Sequence, residues 1–69
     1  YVRSFAHGLK FLAAQDDREE VNISAARLLI KKRLLSHDEA HKMLSQIKDR
    51  QPNLAPQVDE LRALVPPSQ

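Results

Sequence analysis

His37 and His41 stand one helical turn apart, with Asp38 and Glu39 between them. Two imidazoles at that spacing can share a divalent metal. A metalloprotease helix adds a glutamate directly after the first histidine, where it activates zinc-bound water. Here that place is held by Asp38, one methylene shorter, and a third ligand would have to come from a residue as remote as His7. No physiological metal site and no cofactor are expected, and adventitious zinc or nickel is the most the pair would take. Both histidines are expected on a solvated first turn. Other catalytic chemistry is poorly supplied. The chain has no cysteine, and none of Ser4, Ser24, Ser36, Ser45 or Ser68 stands in a recognisable arrangement with a histidine and an acid. The paired carboxylates Asp16-Asp17 and Glu19-Glu20 fall in a polar stretch, where raised pKa values are not expected. A single glycine argues against a loop that cradles phosphates. The expectation is a protein that is not an enzyme and takes no small-molecule substrate.

Arg27, Lys31, Lys32 and Arg33, with Arg3 and Lys10 as outliers, form one basic cluster in a chain of net charge +2. A nucleic-acid site would use such charges to displace counterions from phosphates. Cations at a helix C-terminus also match its dipole without any ligand. Asp16, Asp17, Glu19 and Glu20 share the same segment, and the aromatics Tyr1, Phe5 and Phe11 are not interleaved for base stacking. The turn at Leu35-Ser36 also lacks the glycine customary in a helix-turn-helix. Nucleic-acid binding through the four cations is the alternative, behind a solvated, dipole-matched helix end.

The elements that must position these residues are all helical. Ser36 and Glu39 stand in the S-x-x-E relation of a capping box, with Leu35 before it as a hydrophobic staple. Ala40, Met43, Leu44 and Ile47 then recur at i, i+3, i+4 and i+7 on one face. No window alternates apolar and polar residues as a strand would. The patterns predict helices over about 2–14, 18–34, 37–48 and 54–65. In the first, Val2, Phe5, Leu9 and Leu12 make a stripe, with Ala6 and Ala13 beside it. Gly8 either admits a close neighbour there or marks a later start. In the second, Asp17 with Glu20 repeats the capping logic, Asn22 and Ser24 being alternative caps for a shorter helix. Val21, Ala25, Leu28 and Leu29 form one stripe on it, and Ile23, Ala26, Ile30 and Leu34 another, as in a central helix. Pro52 breaks the third helix, and Asn53 caps a fourth with Pro56 in its first turn. Leu54, Val58, Leu61, Leu64 and Val65 line the fourth.

Short connections favour antiparallel neighbours, so the fold class is all-α, a compact three- or four-helix bundle over residues 1–65 with 66–69 as linker or tail. The chain opens on Tyr1 and closes on Pro66-Pro67-Ser68-Gln69, which gives the expectation of one domain from a longer protein. Without cysteine or an apolar run long enough for a bilayer, an intracellular setting, cytoplasm or nucleus, is expected. Twenty large apolar residues (Val, Ile, Leu, Met, Phe) exceed what short helices conceal among themselves, so a residual apolar groove is expected. Phe5, Leu9, Phe11, Leu12, Leu28, Met43 and Ile47 are its candidate lining, for a partner protein's amphipathic helix or for self-association. Phe11 falls off the first stripe; it either covers a neighbouring helix or loop, or edges that groove.

The order of elements, together with Pro52-Asn53-Leu54 and Leu64-Val65-Pro66, is similar to paired amphipathic helix and TAF homology domains. The resemblance implies a small helical hub that receives transcription-factor or corepressor helices, and so a part in transcription regulation. The phenylalanines usual in the last helix of those domains are absent here, which puts that wall of such a groove in question.

Overall fold

A computed structural model describes the backbone of residues 2–66 and the side chains of residues 5–66. The expected contributions of the Tyr1, Val2, Arg3 and Ser4 side chains, and of the tail after Pro66, lie outside these. The described residues are all-α. They form α1 (Val2–Gln15), α2 (Glu19–Lys31), α3 (His37–Arg50), a 3-10 turn (Pro52–Leu54) and α4 (Ala55–Leu64).

α1 forms where its stripe predicts it and buries Leu9 and Ala13, one turn apart. The helix runs straight through Gly8, and a Cβ built there meets nothing, so neither expected reason for this glycine holds. α2 is the central helix. It buries Ile23, Ala26 and Ile30 from one stripe and Ala25 and Leu29 from the other, and packs on α1, α3 and α4.

Both ends of α2 differ from the expected 18–34. At its start neither Asp17, Asn22 nor Ser24 acts as a cap, and Arg18 stands at the N-cap with no side-chain capping bond. The Asp16 carboxylate instead accepts from the Arg18 N–H at 2.8 Å, a local turn that launches the helix two residues on. At its end the helix stops at Lys31. The Arg33 N–H donates to the Ile30 carbonyl at 3.1 Å and the Leu34 N–H to that of Leu29 at 3.0 Å. Arg33 is left-handed, with φ 54°. This is a Schellman end with arginine in the place glycine favours, and it brings Leu34 back to pack at the core's edge.

The capping box of α3 forms as expected. Ser36 Oγ accepts from the Glu39 N–H at 3.2 Å, and the Ser36 N–H donates to Glu39 Oε1 at 3.0 Å. Ala40, Met43, Leu44 and Ile47 are all buried. The chain then enters the 3-10 turn through Pro52. Asn53 caps nothing there; its amide donates to the Glu19 carboxylate. α4 buries Val58 and Leu61, while Leu64, expected on the same stripe, is half exposed.

Leu29, Leu44, Ile47, Val58 and Leu61 are the large side chains fully out of water at the centre. Around them the Cα trace measures 31 × 26 × 14 Å. Helix axes pack about 8–10 Å apart, so the thin direction holds little more than two layers. α1 therefore lies with one side on the core and the other in solvent.

Two backbone features of α1 and α2 set a stability expectation. Gly8→Ala, on an open helical surface, and Arg33→Gly, at the left-handed position, should each raise stability by about 0.5–1 kcal/mol. Urea unfolding midpoints check this, and a fall in either variant contradicts the assigned conformation.

Candidate functional site

Three helices meet where α1 ends, and their polar groups decide how α1 sits. The last carbonyls of a helix have no partner within it, and α1 has no basic residue in its last turn. Asn22, only 2 % exposed, supplies two donors: its Nδ2 reaches the Leu12 carbonyl at 2.8 Å and the Asp16 carbonyl at 2.9 Å. Arg50, the last residue of α3, donates to the Ala14 carbonyl and, at 3.3 Å, to that of Gln15. Gln51 Nε2 donates to the Asp17 carbonyl at 3.1 Å. The signal for Asn22 was present in the sequence, since it falls on the same arc as Ala25, Ala26 and Leu29. A lone amide on an apolar arc has to bond something.

Seated this way, α1 leaves an open recess of about 340 Å³ against α2. Leu9 and Leu12 form one wall, Val21 and Leu28 the other, with Ala25 buried between them and Glu20 and Ser24 on the rim. Of the seven expected groove residues, Leu9, Leu12 and Leu28 meet here. Phe5 lies on the Leu12 side of α1, two turns earlier, and is 49 % exposed.

The other three do not join them. Phe11 is 63 % exposed and lines no part of the recess, because one residue of helix turns it about 100° away from Leu12. Met43 reaches a separate recess of about 310 Å³ on the opposite flank of α1, shared with Lys10, Leu35 and Glu39. Ile47 is 2 % exposed and belongs to the core. The physical reason is that Met43 and Ile47 share the buried stripe of α3 with Leu44, which faces inward. Val21 and Ala25 were missed as lining, although their spacing to Leu28 was legible.

Arg27, Lys31, Lys32 and Arg33 are all exposed, and none has an ion-pair partner among the described residues. Arg27 and Lys31 share one helical face with Glu20 and Ser24, so they continue the rim of the recess. Lys32 is the C-cap, and Arg33 lies beyond the helix. The acids at the other end of α2 are mostly engaged. Asp16 pairs with Arg18 at 3.0 Å, Asp17 with Arg50 at 3.3 Å, and Glu19 accepts from Asn53.

The histidine pair is half-buried rather than freely solvated, because it docks the C-terminal end of α4. The rings meet edge to face, 4.5 Å between centroids. His37 Nδ1 donates to the Pro66 carbonyl at 3.0 Å. Arg62 donates to His41 Nδ1 at 2.9 Å and to Ser45 Oγ at 2.8 Å. A guanidinium has no acceptor, so His41 takes that bond with its proton on Nε2, which leaves neither ring nitrogen free for a metal while the contact lasts. Among the described residues no three histidines or carboxylates converge on one point.

Two carboxylates are held below their usual range. Asp16 lies at about 2, chiefly because the Arg18 side chain and then its backbone N–H bond the charged form. Glu39 is lowered first by the Ser36 N–H, then by the Ser36 hydroxyl and Lys10. A carboxylate with a depressed folded pKa stabilises the fold above its unfolded pKa, and that contribution disappears as pH falls through the folded value. Stability should therefore hold from neutral pH down to the ordinary carboxylate range and decline from there towards pH about 2. Ser36→Ala should cost about 1 kcal/mol at neutral pH through the lost cap and make the acid decline slightly shallower, since Glu39 loses the hydroxyl while keeping the backbone N–H of residue 36. Urea midpoints across that range measure both, and an unchanged acid limb in the variant would contradict the assignment.

Among the described residues no helix is long and apolar enough to cross a membrane. Compared with family models, with curated proteins and with solved structures, the chain matches none.

Proposed function

We propose that this chain is a non-catalytic interaction module that receives an amphipathic helix of another protein along the α1–α2 recess. The observation that carries this reading is the recess itself. Leucines from two helices face each other across a small residue, Ala25, and Phe5 is exposed two turns before Leu12 on the same side of α1. Val21 to Leu28 spans two helical turns, about 10 Å, the length over which a partner helix presents side chains at i, i+3 or i+4, and i+7. Leu12, Val21 and Leu28 are each only partly covered, so a partner side chain in the recess would finish burying them. Completed burial of a leucine is worth about 1.5–3 kcal/mol at most, which suits a modest, reversible affinity. The resemblance to helical hubs that take short helices agrees with this reading.

The second reading is a nucleic-acid site, favoured by one observation: Arg27, Lys31, Lys32 and Arg33 carry no ion-pair partner among the described residues.

A titration of the labelled protein with amphipathic helical peptides tests the first reading. Amide shifts should centre on Leu12, Val21, Ala25 and Leu28, and Leu28→Asp should weaken binding at least about tenfold, roughly 1.4 kcal/mol. Shifts confined to Arg27–Arg33, produced by duplex DNA and erased by salt, would transfer the function to the second reading. A doubled molar mass in solution, lost in Leu28→Asp, would make the occupant a second copy of the chain.

A further inference from the structure

We infer that the helix received by this recess is acidic, and that it lies with its carboxylates over the C-terminal half of α2. The inference rests on the reading above and adds the chemistry and direction of the partner.

The apolar recess and the basic cluster are one surface. Glu20, Ser24, Arg27 and Lys31 follow each other at three- and four-residue steps along the same edge of α2, and the first two line the recess. The edge therefore changes sign along its length. At its start stands Glu20, its neighbours Asp16, Asp17 and Glu19 being bonded to Arg18, Arg50 and Asn53. At its end stand Arg27 and Lys31, followed by Lys32 and Arg33, with no carboxylate bonded to any of them among the described residues.

Four cations within seven residues repel one another, and the negative end of the α2 dipole offsets part of that repulsion. A partner carboxylate placed there removes that repulsion and gains Coulomb energy beside a surface that the docked helix partly dries. At the Glu20 end the same partner is free to carry lysine or arginine. A phosphate backbone would satisfy the cations but leave the uncovered parts of Leu12, Val21 and Leu28 facing water, so the combination favours a peptide over a nucleic acid.

Three probes test this by fluorescence anisotropy: an amidated peptide of about 14 residues, ~21 Å as a helix, with a leucine face and a glutamate polar face; the same peptide with lysine for glutamate; and a short DNA duplex. The glutamate peptide should bind at least about tenfold more tightly than the lysine peptide, with the margin shrinking as salt is added. Arg27→Gln/Lys31→Gln should erase the margin, and Arg27→Glu/Lys31→Glu should invert it, circular dichroism confirming that both remain folded. Equal binding of both peptides overturns the charge inference and leaves the recess reading standing. Binding of neither peptide overturns both. Preference for the duplex over either peptide, lost on the same charge reversals, overturns the inference in favour of phosphate recognition.

Discussion

The carbonyl groups at the end of α1 need donors, and the chain provides them from elsewhere. Asn22 on α2 takes Leu12 and Asp16, Arg50 at the end of α3 takes Ala14 and Gln15, and Gln51 takes Asp17. Of these donors Asn22 is the buried one, and leaving a buried polar group unpaired costs about 1–3 kcal/mol, a large share of what a domain of this size possesses; the Arg50 and Gln51 bonds lie at the surface. α1 otherwise holds to the core through few large side chains: Leu9 is buried, while Leu12 is only partly so. The polar corner fixes where along α2 the first helix sits, and apolar contact does the rest.

That division of labour explains how a surface with binding potential survives in so small a fold. A hairpin joined by hydrophobic contact alone would slide and roll until its leucines were covered. Asn22 forbids the slide because its amide must meet two specific carbonyls at 2.8 and 2.9 Å. Ala25 keeps the two helices close without filling the space above itself, so Leu9 and Leu12 stay separated from Val21 and Leu28 by an open recess. Among the described residues its lining comes from α1 and α2 alone. The same helix edge then supplies charge, so packing, register and electrostatics converge on α2.

Much of this fold was legible from local pattern. The S-x-x-E box at Ser36–Glu39 and the stripe that follows it involve residues within one or two turns, and both form as read. α2 was recognisable as central because two stripes ran along it. What escaped depends on distant partners. Asn22 reads as a helix cap until α1 is folded beside it, and Asn53 reads as one until Glu19 approaches. The end of α2 was misplaced because Arg33 takes a left-handed conformation that its residue type disfavours, in a turn that satisfies the Leu29 and Ile30 carbonyls and brings Leu34 to the core. Within the candidate site, Leu9, Leu12 and Leu28 were found because apolar stripes point to neighbouring helices. Met43 and Ile47 were assigned to it because a stripe does not say whether its face meets solvent or core.

Native-state hydrogen exchange on the protein and on Asn22→Leu, near in volume but without donors, tests the corner most directly. The account predicts that the α1 amides of the variant exchange through a local opening made about 2–3 kcal/mol easier, while those of α3 and α4 remain tied to global unfolding. If the α1 amides stay as protected in the variant as those of α3, apolar packing alone seats the first helix, and the register that opens the recess does not depend on Asn22.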